Sequence, residues 1–275
     1  MDSYYIIKYT INNTIKYYYV NVLEDDTVLV GVVKMKCVNI LIDKINKVAV
    51  LELLQHYYKC SLFSDLQKGY EVKNLLKISL NFVILHYPEL KYIELIDNSF
   101  IICGNKKRIS LPDITFIKYN KTWYEKYFNA VPNDESKDTI LVLKKQLLKI
   151  SNKKLKLNYE EFIKKYYSEP IFHKQNRLNI IKNIYIKNMT FKTFLDQIQE
   201  YDCIFYEKIF NDLIGTLLNG TKWIISIETI KNYNVDYEIT ETEKIKSNNI
   251  LNVLYKKLNK MNIKILNQKG GDFWF

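Results

Sequence analysis

Residues 66–84 read LQKGYEVKNLLKISLNFVI, and this stretch decides how the chain folds. From Val72 onward, apolar residues recur at helical spacing, at positions 72, 75, 76, 80, 83 and 84. This period predicts an amphipathic helix that begins soon after Gly69. The first turn of a helix presents free backbone N–H groups and the positive end of the helix dipole, so a glycine turn here is a typical position for a bound phosphate. The alternative interpretation is a purely structural turn.

The residues before this stretch have the pattern of β-strands. Segments 4–10 and 14–22 are rich in aromatic and β-branched residues, and Asn12-Asn13 between them is a hairpin signal. Segments 27–38 and 48–54 continue the pattern. We therefore expect an antiparallel meander over roughly the first 55 residues.

The rest of the chain mixes strands and helices and then becomes mostly helical. We expect a strand at 91–96, a hairpin from 100–103 and 108–111, and a helix at 113–129. The polar run NDESKD at 133–138 is the best linker candidate. Beyond it the pattern predicts helices at 138–150, 159–167, 176–187, 190–200, 203–218 and 243–260, with one strand at 222–227. The expected fold is α+β: a mixed, mainly antiparallel sheet with flanking helices in a domain of residues 1–132, and a mostly helical domain of residues 133–275.

The formal net charge of +11 comes almost entirely from lysine, since Arg108 and Arg177 are the only arginines. The abundance of Lys, Asn, Ile and Tyr indicates a compositional bias, which favours a solvated lysine-rich surface. Nucleic-acid binding is the alternative interpretation, possible but not favoured. Lysines 144, 145, 153, 154, 156, 164 and 165 interleave with Tyr166 and Tyr167, as in surfaces that bind single strands.

The four cysteines, at 37, 60, 103 and 203, lie far apart and lack the spacing of metal ligands. We expect them to be buried free thiols in a reducing compartment. The three histidines are scattered as well, so we expect no metal site. The N-terminus does not have the pattern of a signal peptide, and no apolar run approaches the ~20 residues of a membrane span. The expectation is a soluble intracellular protein with no membrane partner.

The order of these segments resembles the GNAT fold of acetyl-CoA-dependent N-acetyltransferases. Three segments carry the resemblance: LQKGYEVKNLLKISLNFVI at 66–84, LKYIELIDNS at 90–99 and TWYEKYFNA at 122–130. The chain is similar to uncharacterised GNAT-like proteins of giant DNA viruses. Their Gly-x-Gly-Thr turn and Thr-Trp-Tyr-Glu segment correspond to residues 69–72 and 122–125 here. The resemblance covers roughly residues 1–130, and its motifs are specific only through their order and spacing.

The resemblance implies acetyl-CoA as the cofactor. The implied binding residues are those of the turn: Lys68, Gly69, Tyr70, Glu71, Val72 and Lys73. Glu71 stands where the family has its second glycine, and Val72 stands where the viral proteins have threonine. A carboxylate at position 71 repels a pyrophosphate and its Cβ obstructs close approach, while Lys68 and Lys73 compensate in part.

For catalysis, the resemblance implies Tyr124 as the proton donor to the departing thiolate. By its position on the strand before the turn, Glu52 is the candidate base. Each residue also has a structural interpretation. Glu52 then lies on the polar face of a strand, and Tyr124 packs in the core.

Three functions stay open. The first is an N-acetyltransferase of unknown acceptor, and the second is a non-catalytic viral structural or interaction protein on the same fold. The third is a lysine-rich nucleic-acid-binding protein. A protein partner would bind through the C-terminal half or through Phe273-Trp274-Phe275. The expected location is the host cytoplasm or the virion.

Overall fold

The computed structural model describes residues 2–11, 14–32, 35–54, 70–103, 107–166, 174–197, 208–210, 212–233 and 237–242. These residues divide between two compact units. The first unit takes the described residues up to Leu95 and those from Ile224 onward, and the second takes the described residues from Ile96 to Trp223. Among the described residues, the chain crosses between the units twice, each time within a strand: between Leu95 and Ile96, and between Trp223 and Ile224. The C-terminal Phe273, Trp274 and Phe275 and the predicted helix 243–260 lie outside the described residues.

Five strands near the start of the chain form the predicted antiparallel meander in the first unit. They are β1 (Ser3–Ile11), β2 (Thr14–Val22), β3 (Thr27–Val32), β4 (Met35–Asp43) and β5 (Val48–Leu54). Each pairs antiparallel with the next, from Ser3↔Val22 in the first pair to Val38↔Leu54 in the last. The segment expected to be one strand at 27–38 belongs to two strands, β3 and β4. The α+β class and the mostly antiparallel sheet are confirmed.

A parallel pairing follows the meander. Helix α1 (Tyr70–His86) leads to strand β6 (Tyr92–Asp97), which lies parallel to β5 with Val48 opposite Tyr92 and Leu51 opposite Leu95. The predicted helix is therefore present, but it is buried on more than one face. Residues 74–76 and 78–84 are all buried, including Asn74 and Asn81. Such a helix lies inside the unit and is not an amphipathic surface helix.

Strand β11 (Tyr237–Thr242) completes the first unit and was not expected from the sequence. It pairs antiparallel with β1, from Tyr4↔Thr242 to Tyr9↔Tyr237. The strand order within this unit is β11-β1-β2-β3-β4-β5-β6. The unit is thus built from two distant parts of the chain.

The second unit contains a hairpin, β7 (Phe100–Cys103) with β8 (Lys107–Ser110), and a set of helices. The helices are α2 (Leu111–Tyr119), α3 (Trp123–Phe128), α4 (Lys137–Ser151), α5 (Tyr159–Tyr166), α6 (Lys174–Ile184) and α7 (Phe191–Gln197). The short strand β9 (Val131–Pro132) precedes α4. Strand β10 (Thr221–Ser226) leads back to the first unit, where α8 (Ile227–Lys231) follows it.

Two helix boundaries of the second unit differ from the expected ones. The expected helix 113–129 is interrupted by Asn120, whose left-handed conformation (φ 56°) ends α2 before Thr122 caps α3. In the expected helix 203–218, the described residues leave the helix at Ile214, and Gly215 follows with φ +70°.

The division expected between residues 132 and 133 falls inside the second unit. The polar run 133–138 is not a linker. Asn133 donates its N–H to the Lys222 carbonyl at 3.1 Å, and its side chain caps a 3-10 turn, Asp134–Ser136, that runs directly into α4. The Asn133 side chain is therefore a helix-capping group, a role for which Asn is favoured.

The expectation that the cysteines are free thiols is wrong for Cys37. Its side chain is fully buried in β4 and is disulfide-bonded. Among the described helices, none is both long and apolar enough to cross a membrane.

Candidate functional site

The predicted acetyl-CoA turn lies at the start of α1. The helix begins at Tyr70, directly after Gly69, and Glu71 occupies its first turn. Val72 and Lys73 follow and are half-buried. Lys68 and Gly69 themselves lie outside the described residues. The helix that the sequence predicted is therefore present from Tyr70 onward.

The topology of the first unit places this helix start at a favourable end of the sheet. A helix that connects two parallel strands runs back along them, so it begins at their carboxyl ends. In sheets with such connections, ligands bind outside the carboxyl ends of the strands. Within the first unit, the start of α1 is therefore expected at the carboxyl end of β5.

Two lysines give the first turns of α1 a positive charge. Lys73 and Lys77 are one turn apart on the same face of the helix, and both are half-buried. Burial, and then the charge of Lys73, hold the pKa of Lys77 below its usual value. The Lys77 ammonium also lies 4.7 Å from the centre of the Tyr233 ring. An anion beside the two lysines would relieve their mutual repulsion. This favourable effect opposes the repulsion between the anion and the Glu71 carboxylate.

The predicted base, Glu52, is exposed near the carboxyl end of β5. Its Oε2 accepts a hydrogen bond from Asn39 Nδ2 of the neighbouring strand at 2.7 Å. This bond orients the carboxylate without burying it. Glu52 belongs to the same unit as α1.

The predicted proton donor, Tyr124, lies in the second unit. It is on α3, is only 6% exposed, and packs beside Trp123 and Phe128 with ring centres 5.0 and 6.3 Å away. Burial, and then the charge of Asp97, raise the pKa of Tyr124 well above its usual value. The phenol is therefore protonated at neutral pH. The structural interpretation, core packing, accounts for these contacts as well.

Near Tyr124, the structure shows a pair of buried carboxylates that sequence reasoning missed. Asp97, at the end of β6, accepts hydrogen bonds on Oδ1 from the Ser99 N–H at 3.1 Å and the Ser99 hydroxyl at 2.5 Å. Asp113, in the first turn of α2, accepts the Leu218 N–H on Oδ1 at 2.8 Å. Within the described residues, Oδ2 of each carboxylate has no hydrogen-bond partner.

Burial determines the protonation of this pair. It raises the pKa of Asp97 to about 6, and the charge of Asp113 adds to the rise while the Ser99 bonds oppose it. Burial also raises the pKa of Asp113, against the effects of Ser110 and the Leu218 N–H. The pair therefore exchanges a proton closer to neutral pH than an exposed carboxylate does. Local sequence gave little sign of it, because IDNS at 96–99 also has the composition of a turn.

The described residues contain no group of three or more His, Cys, Asp or Glu side chains able to hold a metal ion.

No protein-family model matches the chain, and no curated protein or solved structure is significantly similar to it.

Proposed function

We propose that the chain is a GNAT-like acetyltransferase whose first unit binds acetyl-CoA at the start of α1. The observation that carries the proposal is the parallel β5–α1–β6 connection. The consecutive pairs from β11–β1 to β4–β5 are antiparallel, whereas β5 and β6 are parallel. The connection lies where the resemblance puts the turn.

The residues of the turn fit a pyrophosphate in part. The backbone N–H groups of the first turn and the Lys73–Lys77 pair favour an anion. Glu71 opposes it by charge. We therefore expect weak binding of acetyl-CoA by the natural chain, limited by this one carboxylate.

Acetyl-CoA, when bound, supplies an acetyl thioester. Glu52 is the group of the first unit that accepts the proton of an attacking amine, since it is exposed and oriented by Asn39. With acetyl-CoA bound, the amine nitrogen would bond to the acetyl carbon while the C–S bond breaks, and the coenzyme A thiolate would leave and take up a proton. Tyr124 belongs to the second unit, and its role as proton donor stays a prediction of the resemblance.

A second candidate function is a non-catalytic scaffold, such as a viral structural or interaction protein. Two observations favour it: Glu71 occupies the first turn of α1, and Tyr124 is almost fully buried. A fold alone does not establish an activity. Nucleic-acid binding along the lysine-rich segments is the third candidate. Lys144, one of its residues, is engaged in an ion pair with Glu125 and lies over the Trp223 ring.

Calorimetric titration with acetyl-CoA tests the proposal. The natural chain is compared with Glu71→Gly, and with Glu89→Gly as a control at an exposed turn. Removing the carboxylate at position 71 is expected to tighten binding about tenfold. Circular dichroism of each variant checks that the helix content is retained.

Two lysine substitutions, one in α1 and one outside it, test where acetyl-CoA binds. Lys73→Gln is expected to weaken acetyl-CoA binding, and Lys91→Gln, exposed in the same unit, is expected to leave it unchanged. Binding by Glu71→Gly alone would support the scaffold over the enzyme. Absence of binding by both the natural chain and Glu71→Gly would overturn the proposal.

A further inference from the structure

The second unit contains a cleft that the proposed acetyl-CoA site does not use. Its volume is about 370 Å³, which falls in the range of ~300–1,000 Å³ found for small-ligand sites. Its charged lining consists of Lys153, Lys154, Lys156 and Lys165 with one carboxylate, Asp212. Four cations around one anion in a concave site are the composition expected of an anion-binding pocket.

The wall that carries three of these lysines is held in place by backbone hydrogen bonds. Lys153 accepts the Phe191 N–H on its carbonyl at 2.9 Å. Leu155 donates its N–H to the Met189 carbonyl at 2.9 Å and accepts the Asn188 N–H at 2.8 Å. The segment is thus fixed to the start of α7 as a short antiparallel bridge. Its lysine side chains start from a rigid backbone, which lowers the entropy cost of gathering them around a ligand.

The single carboxylate of the cleft is already neutralised. Asp212 Oδ2 accepts hydrogen bonds from Lys165 Nζ at 2.7 Å and from the Tyr166 hydroxyl at 2.6 Å. These bonds, and the charge of Lys153, hold the pKa of Asp212 below its usual value. Within the described part of the chain, Lys153, Lys154 and Lys156 form no ion pair. Three positive charges of the cleft are therefore left for a ligand.

Aromatic side chains form the rest of the cleft. Phe162, Tyr166 and Tyr185 line it, and all three are buried. The Phe162 and Tyr185 rings stack at 4.1 Å between centroids. The Tyr185 hydroxyl donates to the Leu157 carbonyl at 2.7 Å, which fixes that ring against the lysine-bearing segment. The floor is thus apolar and rigid, while the rim is cationic.

We propose that this cleft binds a small phosphorylated ligand through its lysine-rich wall. The phosphates would lie against Lys153, Lys154 and Lys156. The single concave site favours a small ligand over a nucleic-acid strand. Nothing in this proposal rests on acetyl-CoA binding, since no residue of the cleft belongs to the first unit.

Titration of the full chain with inorganic pyrophosphate and with ATP tests the proposal. Both are expected to bind, and both affinities are expected to fall as salt rises. Failure of both probes to bind at millimolar concentration would overturn the proposal. So would binding of a single-stranded oligonucleotide without binding of either probe.

Variants that remove lysines of the cleft test whether pyrophosphate binds there. The double substitution Lys153→Gln/Lys156→Gln is expected to weaken pyrophosphate binding about tenfold or more. The control Lys145→Gln/Lys149→Gln removes two exposed lysines of α4 that do not line the cleft, and is expected to have little effect. Equal losses in the two double variants would mean nonspecific attraction and overturn the assignment.

Asp212→Asn keeps an acceptor for Lys165 and Tyr166 but removes the negative charge. It is expected to tighten pyrophosphate binding severalfold. The control Asp138→Asn removes an exposed carboxylate of α4 and is expected to leave the affinity unchanged. Weaker binding by Asp212→Asn, with its fold intact, would contradict the proposed site.

Discussion

The carboxylate of Asp97 lies close enough to that of Asp113 for their repulsion to add to burial in raising the pKa of Asp97 to about 6. Each keeps one oxygen without a hydrogen-bond partner among the described residues. Asp97 is 1% exposed, so its ionised form is poorly solvated. The second unit therefore contains a charge that opposes folding at neutral pH.

Replacing Asp97 by Asn is expected to stabilise the protein at neutral pH. The folded pKa of Asp97 lies above its unfolded value, so the folded state binds the proton more tightly. The free energy of unfolding of the natural chain should therefore fall as pH rises from about 4 to about 6, by up to ~3 kcal/mol from this group. Asp97→Asn removes this decrease and keeps a carbonyl oxygen for Ser99. Urea denaturation at pH 4.5 and 7.5 measures the free energy of unfolding of the natural chain and of the variant.

Asp138→Asn, at an exposed site on α4, is the control for the loss of one carboxylate. It should keep the pH dependence of the natural chain. An Asp97→Asn variant that is less stable than the natural chain at pH 7.5 would show that the ionised carboxylate contributes favourably.

Thr122 should be a sensitive position for the stability of the second unit. It is fully buried and forms a reciprocal capping box with Glu125: its N–H donates to Glu125 Oε2 at 2.8 Å, and its hydroxyl accepts the Glu125 N–H at 3.4 Å. Thr122→Ala is expected to lower the free energy of unfolding by about 0.5–2 kcal/mol. Thr139→Ala on the exposed side of α4 should change it by far less. Equal effects in chemical denaturation would mean that the cap adds little.

Tyr124→Phe separates a catalytic hydroxyl from a packing ring. The ring contacts with Trp123 and Phe128 survive the change, so the melting temperature should move little. If Tyr124 donates the proton, acetyl transfer to an amine should fall by about 10²-fold or more. Tyr119→Phe, exposed at the end of α2, is the control. An unchanged rate of acetyl transfer in Tyr124→Phe would show that this tyrosine contributes only packing.

Strand β11 should protect the edge of β1. A chain ending after residue 236 lacks β11, and a chain ending after residue 242 keeps it. Comparing the two removes the effect of the residues beyond 242. Amide hydrogen exchange should be faster in the shorter chain at the positions of β1 that pair with β11, between Tyr4 and Tyr9. Equal protection of β1 in both chains would show that the pairing contributes little to stability.

Most elements of the fold could be predicted because their signals are local. Alternation and the Asn12-Asn13 turn indicate the first hairpin, and helical spacing after Gly69 indicates α1. Strand β11 was missed because its partner lies at the other end of the chain, so no local pattern marks the pair. The same separation explains why the boundary expected at 132/133 differs from the observed division, since a discontinuous unit has no single linker.

The candidate sites follow the same rule. The lysines of the cleft are visible as a cluster in the sequence, but their relation to Asp212 depends on a contact between distant segments. The burial of Asp97 and Asp113 is likewise a property of the folded unit. Helical spacing after Gly69 marks α1 locally, which is why sequence alone could place this helix.

The β1–β11 pairing also sets the order in which the protein can mature during translation. β1 is complete at Ile11, whereas its partner is complete only when Thr242 has been added, 231 residues later (242 − 11). At ~5–20 residues per second, the delay is roughly 10–45 s. Through that interval one edge of β1 is an open template for strands of other nascent chains. The yield of folded protein should therefore depend on how quickly ribosomes reach β11. It should also depend on how closely ribosomes are spaced on the mRNA.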